Sequence, residues 1–134
     1  MTPGFIAGLV SARWFALLAV ALLTLPYWSS AIFKAIHWQS GVAEMRAARL
    51  SPAPLFAVLT IAVQALGSLL LITGFAPWVG AGMLGAFTVA ATVIAHPYWK
   101  QHKSALRIQQ RTVVFEHAAL IGGLMLAVAV MEYF

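Results

Sequence analysis

Apolar residues fill four long stretches of this 134-residue chain, and shorter segments richer in polar residues separate them. These stretches predict helices at about residues 13–37, 53–73, 77–96 and 111–134. Each is close to, or longer than, the roughly 20 apolar residues that cross the hydrocarbon core of a bilayer. Helices joined by short segments run in alternating directions. The pattern therefore predicts an all-α integral membrane protein that folds as one domain, an antiparallel bundle of four transmembrane helices.

Prolines and glycines mark where these helices bend or end. Pro26 lies inside the first apolar stretch, removes a backbone donor there and predicts a kink near Tyr27 and Trp28. Gly74 lies just before the third helix and predicts a tight turn, and Pro97 ends that helix. The first stretch loosely mimics a signal peptide but is long for one, so we expect it to remain as a membrane helix.

The composition supports a membrane chain and gives it an orientation. Only 8% of the residues are charged and 63% are hydrophobic, whereas soluble domains carry about 25% charged residues. Nearly all basic residues lie in the segments between helices one and two and between helices three and four, which share a side in an antiparallel bundle. Basic loops stay in the cytoplasm. We therefore expect this side to face the cytoplasm of a bacterial inner membrane, with both termini outside.

The charge distribution and the absence of cysteine also limit partners and chemistry. The net charge is +5, but no face of interleaved basic and aromatic residues accompanies it, so we do not expect nucleic acid as a partner. The chain contains no cysteine, which excludes a disulfide, an iron–sulfur cluster or a thiol nucleophile of its own. The lipid bilayer is the partner that the composition predicts.

Two further patterns concern helix packing. The segment 39–51 carries charged residues among alanines and predicts a short helix at the membrane interface. Small residues four positions apart, such as Gly82 with Ala86 and Ala118 with Gly122, let helix backbones approach each other in lipid. We therefore expect helices three and four to pack closely.

Ionisable side chains near the ends of the predicted helices are the candidate functional groups. Lys34 and His37 lie one helical turn apart at the end of helix one, and Trp38 follows them. The antiparallel arrangement brings polar residues of helices three and four to a similar depth, while an amide lies deeper in helix two. These residues are His96, Trp99, Glu116, His117 and Gln64. Ionisable groups inside a membrane usually pair or line a cavity, so we expect Lys34 to pair with Glu116.

The side chains of this polar layer suit the head of a lipid-soluble molecule, such as a quinone, better than a metal ion. Lys34 and His37 can donate hydrogen bonds to a carbonyl, and the neighbouring tryptophans can pack against a ring. Glu116 and His117 are adjacent and point about 100° apart on a helix. They do not readily chelate one ion, so we expect neither a metal site nor a haem. The alternative is that Lys34 extends to the lipid headgroups and the histidines bind water at the interface.

Four motifs in this order resemble the DoxX-like family of small four-helix membrane proteins, over about residues 16–129. They are Phe33-Lys34-x-x-His37-Trp38, Gln64-Ala65-Leu66-Gly67-Ser68-Leu69-Leu70-Leu71-Ile72-Thr73-Gly74, His96 with Tyr98 and Trp99, and Phe115-Glu116-His117-x3-Ile121-Gly122-Gly123-Leu124. The family usually has a glutamate at the position of Gln64, and an amide cannot relay a proton as a carboxylate can. The resemblance implies a role in thiosulfate oxidation to quinone, in membrane redox complexes of oxidative-stress defence, or in the assembly of other proteins.

These expectations combine into one hypothesis and an alternative. The first is a membrane subunit of a redox system that binds a quinone-like or other lipid-soluble molecule near the cytoplasmic face, with a soluble redox enzyme as partner. The alternative is a non-catalytic scaffold or assembly factor that recruits a partner enzyme. A transporter would need several copies of the chain to form a pathway. Whether the chain forms a homo-oligomer, and whether it is itself an enzyme, stays open.

Overall fold

A computed structural model describes residues 1–132 of the chain, and within them every regular element is helical. The elements are α1 (Gly4–Val10), α2 (Arg13–Leu23), α3 (Leu25–Ile36), α4 (Trp38–Ala47), α5 (Ala53–Thr73), α6 (Pro77–Ala95), a 3-10 turn (Tyr98–Lys100) and α7 (Ser104–Glu132). The all-α prediction is therefore confirmed. α5, α6 together with the 3-10 turn, and α7 are long and apolar enough to cross a membrane. α1 and α2, bent by 61° relative to each other, would together form a fourth such segment.

The first predicted helix, for which we predicted a kink at Pro26, is broken into two helices, α2 and α3. The break lies at Thr24, between α2 and α3, before the predicted kink. A proline ring clashes with the carbonyl four residues earlier and offers it no N–H, so the distortion caused by Pro26 falls on its N-terminal side. Two side chains bond the carbonyls near the break: Thr24 Oγ1 donates to Val20 O (2.7 Å) and Trp28 Nε1 donates to Ala21 O (3.0 Å). Carbonyls without partners would be costly in lipid.

A second interruption lies at His37, and the short helix predicted after helix one begins directly behind it as α4. α4 buries Val42 and Met45 in a small apolar cluster with the N-terminal part of α5. Its C-terminus closes with Arg49 in the left-handed region (φ 62°), and the Leu50 N–H donates to Met45 O (3.0 Å). This is a Schellman motif, which satisfies the last carbonyls of a helix. Apolar contacts thus hold α4 against the bundle.

α7 is 29 residues long and starts two turns before the predicted fourth helix, so the predicted start near Arg111 was wrong. Residues 104–110 are mostly polar, so a search for apolar stretches leaves them out of the predicted helix. They nevertheless contain good helix formers and neither proline nor glycine. Hydropathy identifies the part of a helix that suits lipid rather than the whole helix. The predicted end at residue 134 lies outside the described residues.

α5 and α6 form an antiparallel hairpin whose backbones meet at two glycines. A Cβ built on Gly80 would lie 2.5 Å from Gly67 O and 2.9 Å from the Leu71 backbone nitrogen. The three-residue turn of the hairpin begins at Gly74, whose φ of 71° glycine adopts at little cost. α5 can therefore approach α6 only because neither glycine carries a side chain at this contact.

α6 also packs against α7, as predicted, but the glycines of the predicted small-residue pairs do not make the contact. A Cβ built on Gly82, Gly85 or Gly122 would have no neighbour within 4 Å. The two helices meet instead in a buried apolar cluster that includes Leu84 and Leu124. The two helices touch as predicted, and Ala81 of the predicted small residues is buried in that cluster, but the predicted glycines do not bring the helices together.

Candidate functional site

A cavity of about 580 Å³ lies between α4, α5 and α6, at the end of the α5–α6 hairpin away from its turn. Its wall is mostly apolar and includes two phenylalanine rings. Apolar lining residues include Phe56, Leu59, Val63, Phe87, Ala91 and Ile94. Three polar residues also line it, each from a different helix: Lys34 of α3, Glu44 of α4 and Thr60 of α5. The volume falls within the roughly 300–1,000 Å³ of small-molecule sites.

Lys34 supplies the ammonium group of this cavity and is buried, with 8% of its surface exposed. Its Nζ donates to Ser30 Oγ (2.7 Å), one turn earlier in α3, and lies 3.5 Å from Glu44 Oε2. The hydrocarbon stem runs past Gly41, where a Cβ would lie 3.4 Å from Lys34 Cβ. The prediction that Lys34 pairs with Glu116 was wrong, because the break before α4 folds Glu44 back towards α3. Glu116 is exposed on α7.

Two histidines form a separate polar cluster where α6 ends beside α7. The rings of His96 and His117 meet edge to face with centroids 5.6 Å apart, and Thr92 Oγ1 lies 2.7 Å from His117 Nδ1. Neither histidine is among the residues that line the cavity. The predicted single polar layer is thus divided into two clusters. In the described part of the chain, no three His, Cys, Asp or Glu side chains are arranged to hold a metal ion.

The remaining residues predicted for the end of helix one and the end of helix three lie outside the cavity wall. His37 is exposed and packs on Phe33, with ring centroids 4.5 Å apart. Trp38 is half-buried in the apolar cluster between α4 and α5. Trp99 is about half exposed in the 3-10 turn. The expectation that His37 shares a helix face with the buried lysine was wrong, because α3 ends between them.

Sequence reasoning missed most of the cavity wall. Ser30 lies four residues before Lys34, and Thr60 lies four residues before Gln64, so a search for polar pairs on one helix face would have found both. Phe56 and Phe87 carry no such signal, because an aromatic residue in an apolar helix looks the same whether it faces lipid or a cavity. Only the packing of three helices distinguishes the two cases.

A known protein family matches the part of the chain that forms the cavity. The DoxX family profile matches residues 14–97, a range that contains α3, α4, α5 and α6 and nearly all of α2. This chain belongs to the DoxX family. No curated protein and no solved structure matches it significantly. The family match and the apolar helices together identify this DoxX protein as an integral membrane protein.

Gln64 is the most deeply buried polar residue of the predicted site in this DoxX protein, with 4% of its surface exposed. It lies on the buried face of α5, one turn beyond Thr60 of the cavity wall. Ser68 Oγ donates to the main-chain carbonyl of Gln64 (2.7 Å). The side-chain Oε1 is buried and has no hydrogen-bond partner among the protein atoms of residues 1–132. A buried acceptor without a partner costs about 1–3 kcal/mol.

Replacing Gln64 with leucine should raise the thermal-unfolding midpoint of the purified, ligand-free DoxX protein. Leucine fills a similar volume and removes the buried acceptor, which we expect to stabilise the fold by about 1 kcal/mol. The midpoint is measured in detergent micelles, with Gln109→Leu on the exposed surface of α7 as the control. A lower midpoint for Gln64→Leu would mean that Oε1 already has a partner in the purified protein.

Proposed function

We propose that this DoxX protein is a membrane subunit of a redox system and binds a quinone-like or other lipid-soluble molecule in the cavity. The observation that carries the proposal is a buried ammonium group, that of Lys34, in the wall of a large and mostly apolar cavity. An ionisable residue inside a membrane protein is costly and is a functional-site hypothesis by default. A scaffold that recruits a partner enzyme is the alternative.

The donors of Lys34 suit a ligand that carries a carbonyl oxygen. An ammonium group has three N–H donors, and Ser30 Oγ accepts one of them at 2.7 Å. The other near partner, Glu44 Oε2, lies 3.5 Å away on a side chain that is 61% exposed. A carbonyl in the cavity would therefore receive a charge-assisted hydrogen bond without displacing the bond to Ser30. The rings of Phe56 and Phe87 would pack against the flat or apolar part of the molecule.

Gln64 extends this proposal deeper into the protein. Gln64 is not itself part of the cavity wall, but it lies one turn beyond Thr60, and its Oε1 is an acceptor with no protein partner in the described residues that a ligand or a water molecule could use. His96 and His117, together with Thr92, form the neighbouring polar cluster on α6 and α7. We assign these two histidines no contact with the ligand. His37, Trp38, Trp99 and Glu116 lie outside the cavity wall and are not needed by the proposal.

The proposed placement has four antiparallel spanning segments in one domain in a bacterial inner membrane. The helices before His37, which are α1, α2 and α3, would form the first segment, and α5, α6 and α7 would form the other three. The cavity is lined by the N-terminal half of α5 and the C-terminal half of α6. These halves adjoin the two basic segments of the sequence, which the positive-inside rule assigns to the cytoplasm. The cavity would then lie near the cytoplasmic face.

A cavity-filling variant tests the proposal directly. The wild-type protein is purified gently from membranes, its small molecules are extracted and identified by mass spectrometry, and its thermal midpoint is measured with and without a short-chain benzoquinone. A hundredfold excess of ligand over its dissociation constant should stabilise the protein by about 2.7 kcal/mol. Ala91→Phe fills the cavity and should remove this shift, whereas Ala86→Phe, exposed on the same helix, should keep it.

Two results would contradict the proposal. One is a wild-type protein that carries no lipid-soluble molecule and whose midpoint does not respond to the quinone. The other is a shift that Ala91→Phe leaves unchanged, since the ligand would then bind elsewhere. In the first case, a soluble enzyme that co-purifies in a fixed ratio would favour the scaffold.

A further inference from the structure

α7 is longer than a membrane span requires. Its 29 residues measure ~44 Å at the usual helical rise, whereas the hydrocarbon core of a bilayer is about 30 Å thick. The surplus lies at the N-terminal end, because residues 104–112 include two arginines, two glutamines, a serine and a threonine. The opposite end reaches the turn of the α5–α6 hairpin, where a Cβ built on Gly74 would lie 3.3 Å from Met131 Cε. The first turns of α7 therefore extend beyond the apolar part of the bundle.

This extension carries a stripe of basic residues. Arg107 and Arg111 lie one turn apart on one side of α7, and Lys103, whose main-chain oxygen accepts a hydrogen bond from the Arg107 N–H (2.8 Å), immediately precedes the helix. All three side chains are exposed. The guanidinium of Arg111 lies over the Phe115 ring, 4.8 Å from its centroid. Phe115 is itself 54% exposed. The stripe thus ends where the helix surface turns from basic to apolar, at the depth expected for lipid headgroups.

Among residues 1–132, no acidic group neutralises the stripe. The sequence has no aspartate or glutamate between Glu44 and Glu116. Glu116 follows Arg111 by five positions and points to a different side of the helix. In the described residues, Glu44 pairs with Lys34, and no salt bridge joins a carboxylate to the stripe. Its guanidinium and ammonium donors are therefore available to an external anion.

We propose that this stripe binds the phosphate groups of anionic phospholipids. Arginine presents a planar fork of donors that matches two phosphate oxygens, and basic clusters next to a membrane helix recognise acidic headgroups. The bilayer phosphates are the anions nearest to residues that adjoin the apolar part of α7. The inference is independent of the cavity and of the ligand proposed for it.

A matched pair of double variants tests the stripe. The probe is phosphatidylglycerol, with phosphatidylcholine as the uncharged reference, titrated into the detergent-solubilised protein and counted as bound lipid by native mass spectrometry. The wild type should prefer phosphatidylglycerol, and R107Q/R111Q should weaken its binding roughly thirtyfold. The control R46Q/R49Q removes the same charge from α4 and the segment behind it, and should change binding less than about threefold. Thermal midpoints of both variants without added lipid verify that each is folded.

Three outcomes would overturn the inference. In the first, the wild type binds phosphatidylglycerol and phosphatidylcholine equally. In the second, the two double variants lose the same affinity for phosphatidylglycerol, which would indicate that net charge alone controls the binding. The third is that R107Q/R111Q keeps its preference for phosphatidylglycerol but loses an acidic soluble protein that the wild type retains, in which case the stripe is a protein contact.

Discussion

Gly80→Ala should lower the thermal-unfolding midpoint of the protein more than any other single methyl addition proposed for it. The new Cβ would lie 2.5 Å from the Gly67 carbonyl oxygen and 2.9 Å from the Leu71 backbone nitrogen, distances that no relaxed structure holds. Both neighbours are main-chain atoms of α5 and cannot rotate away as a side chain does. α5 and α6 must separate, and overpacking of this kind costs about 3 kcal/mol.

The same helix offers a matched control. Gly82→Ala adds the same methyl group two residues later, where a Cβ would have no neighbour within 4 Å. It should leave the midpoint unchanged or raise it slightly, because alanine favours a helix over glycine by roughly 1 kcal/mol. Both variants are measured in the same detergent as midpoint and as the fraction recovered in a monodisperse peak. Equal midpoints for the two variants would mean that α5 and α6 do not approach each other at Gly80.

Lys34→Met should abolish most of the quinone-dependent stabilisation while leaving the protein folded. Methionine keeps the length and much of the apolar stem that packs beside Gly41, but removes the ammonium group that the proposed carbonyl would bind. A hydrogen bond to a charged group contributes about 1.5–3 kcal/mol. The dissociation constant of the short-chain benzoquinone should therefore rise by roughly tenfold to a hundredfold.

The control for Lys34→Met removes an equal charge from an exposed position. Lys100→Met changes the 3-10 turn, outside the cavity wall, and should bind the quinone as the wild type does. Binding is measured as the concentration dependence of the thermal midpoint, and the midpoints without quinone show whether each variant folds. If Lys34→Met and Lys100→Met bind the quinone equally well, Lys34 serves only its bonds to Ser30 and Glu44. The proposal that its ammonium group binds the ligand would then be wrong.

The boundaries that sequence alone predicted well are those set by local chemistry. α5 spans the residues of the second predicted helix, and α6 ends one residue before the end of the third. Proline cannot continue a helix and glycine adopts a positive φ, so Pro97 and Gly74 act through their own backbones and need no distant partner. The length of an apolar run similarly reports the solvent around it, which is why the membrane class followed from the sequence.

The helix boundaries that sequence mispredicted have two different causes. The early start of α7 was missed because residues 104–110 are helical without being apolar, and an apolar pattern detects only the part that suits lipid. The break at His37 has no proline or glycine at it. It accompanies the packing of α4 on α5, where Val42 and Met45 become buried, and such a contact depends on residues that lie after the break.

The sequence by itself determined an all-helical membrane chain, the family to which it belongs, and the presence of a few polar residues whose burial in a membrane costs free energy and so indicates a function. Only the tertiary structure decided which of them meet. Glu44 rather than Glu116 reaches Lys34, the two histidines pair away from the cavity, and Gly67 with Gly80 sets the approach of α5 to α6. The physical reason is range: propensity and hydropathy act within a few residues, whereas side-chain partners depend on how separate helices rotate and pack.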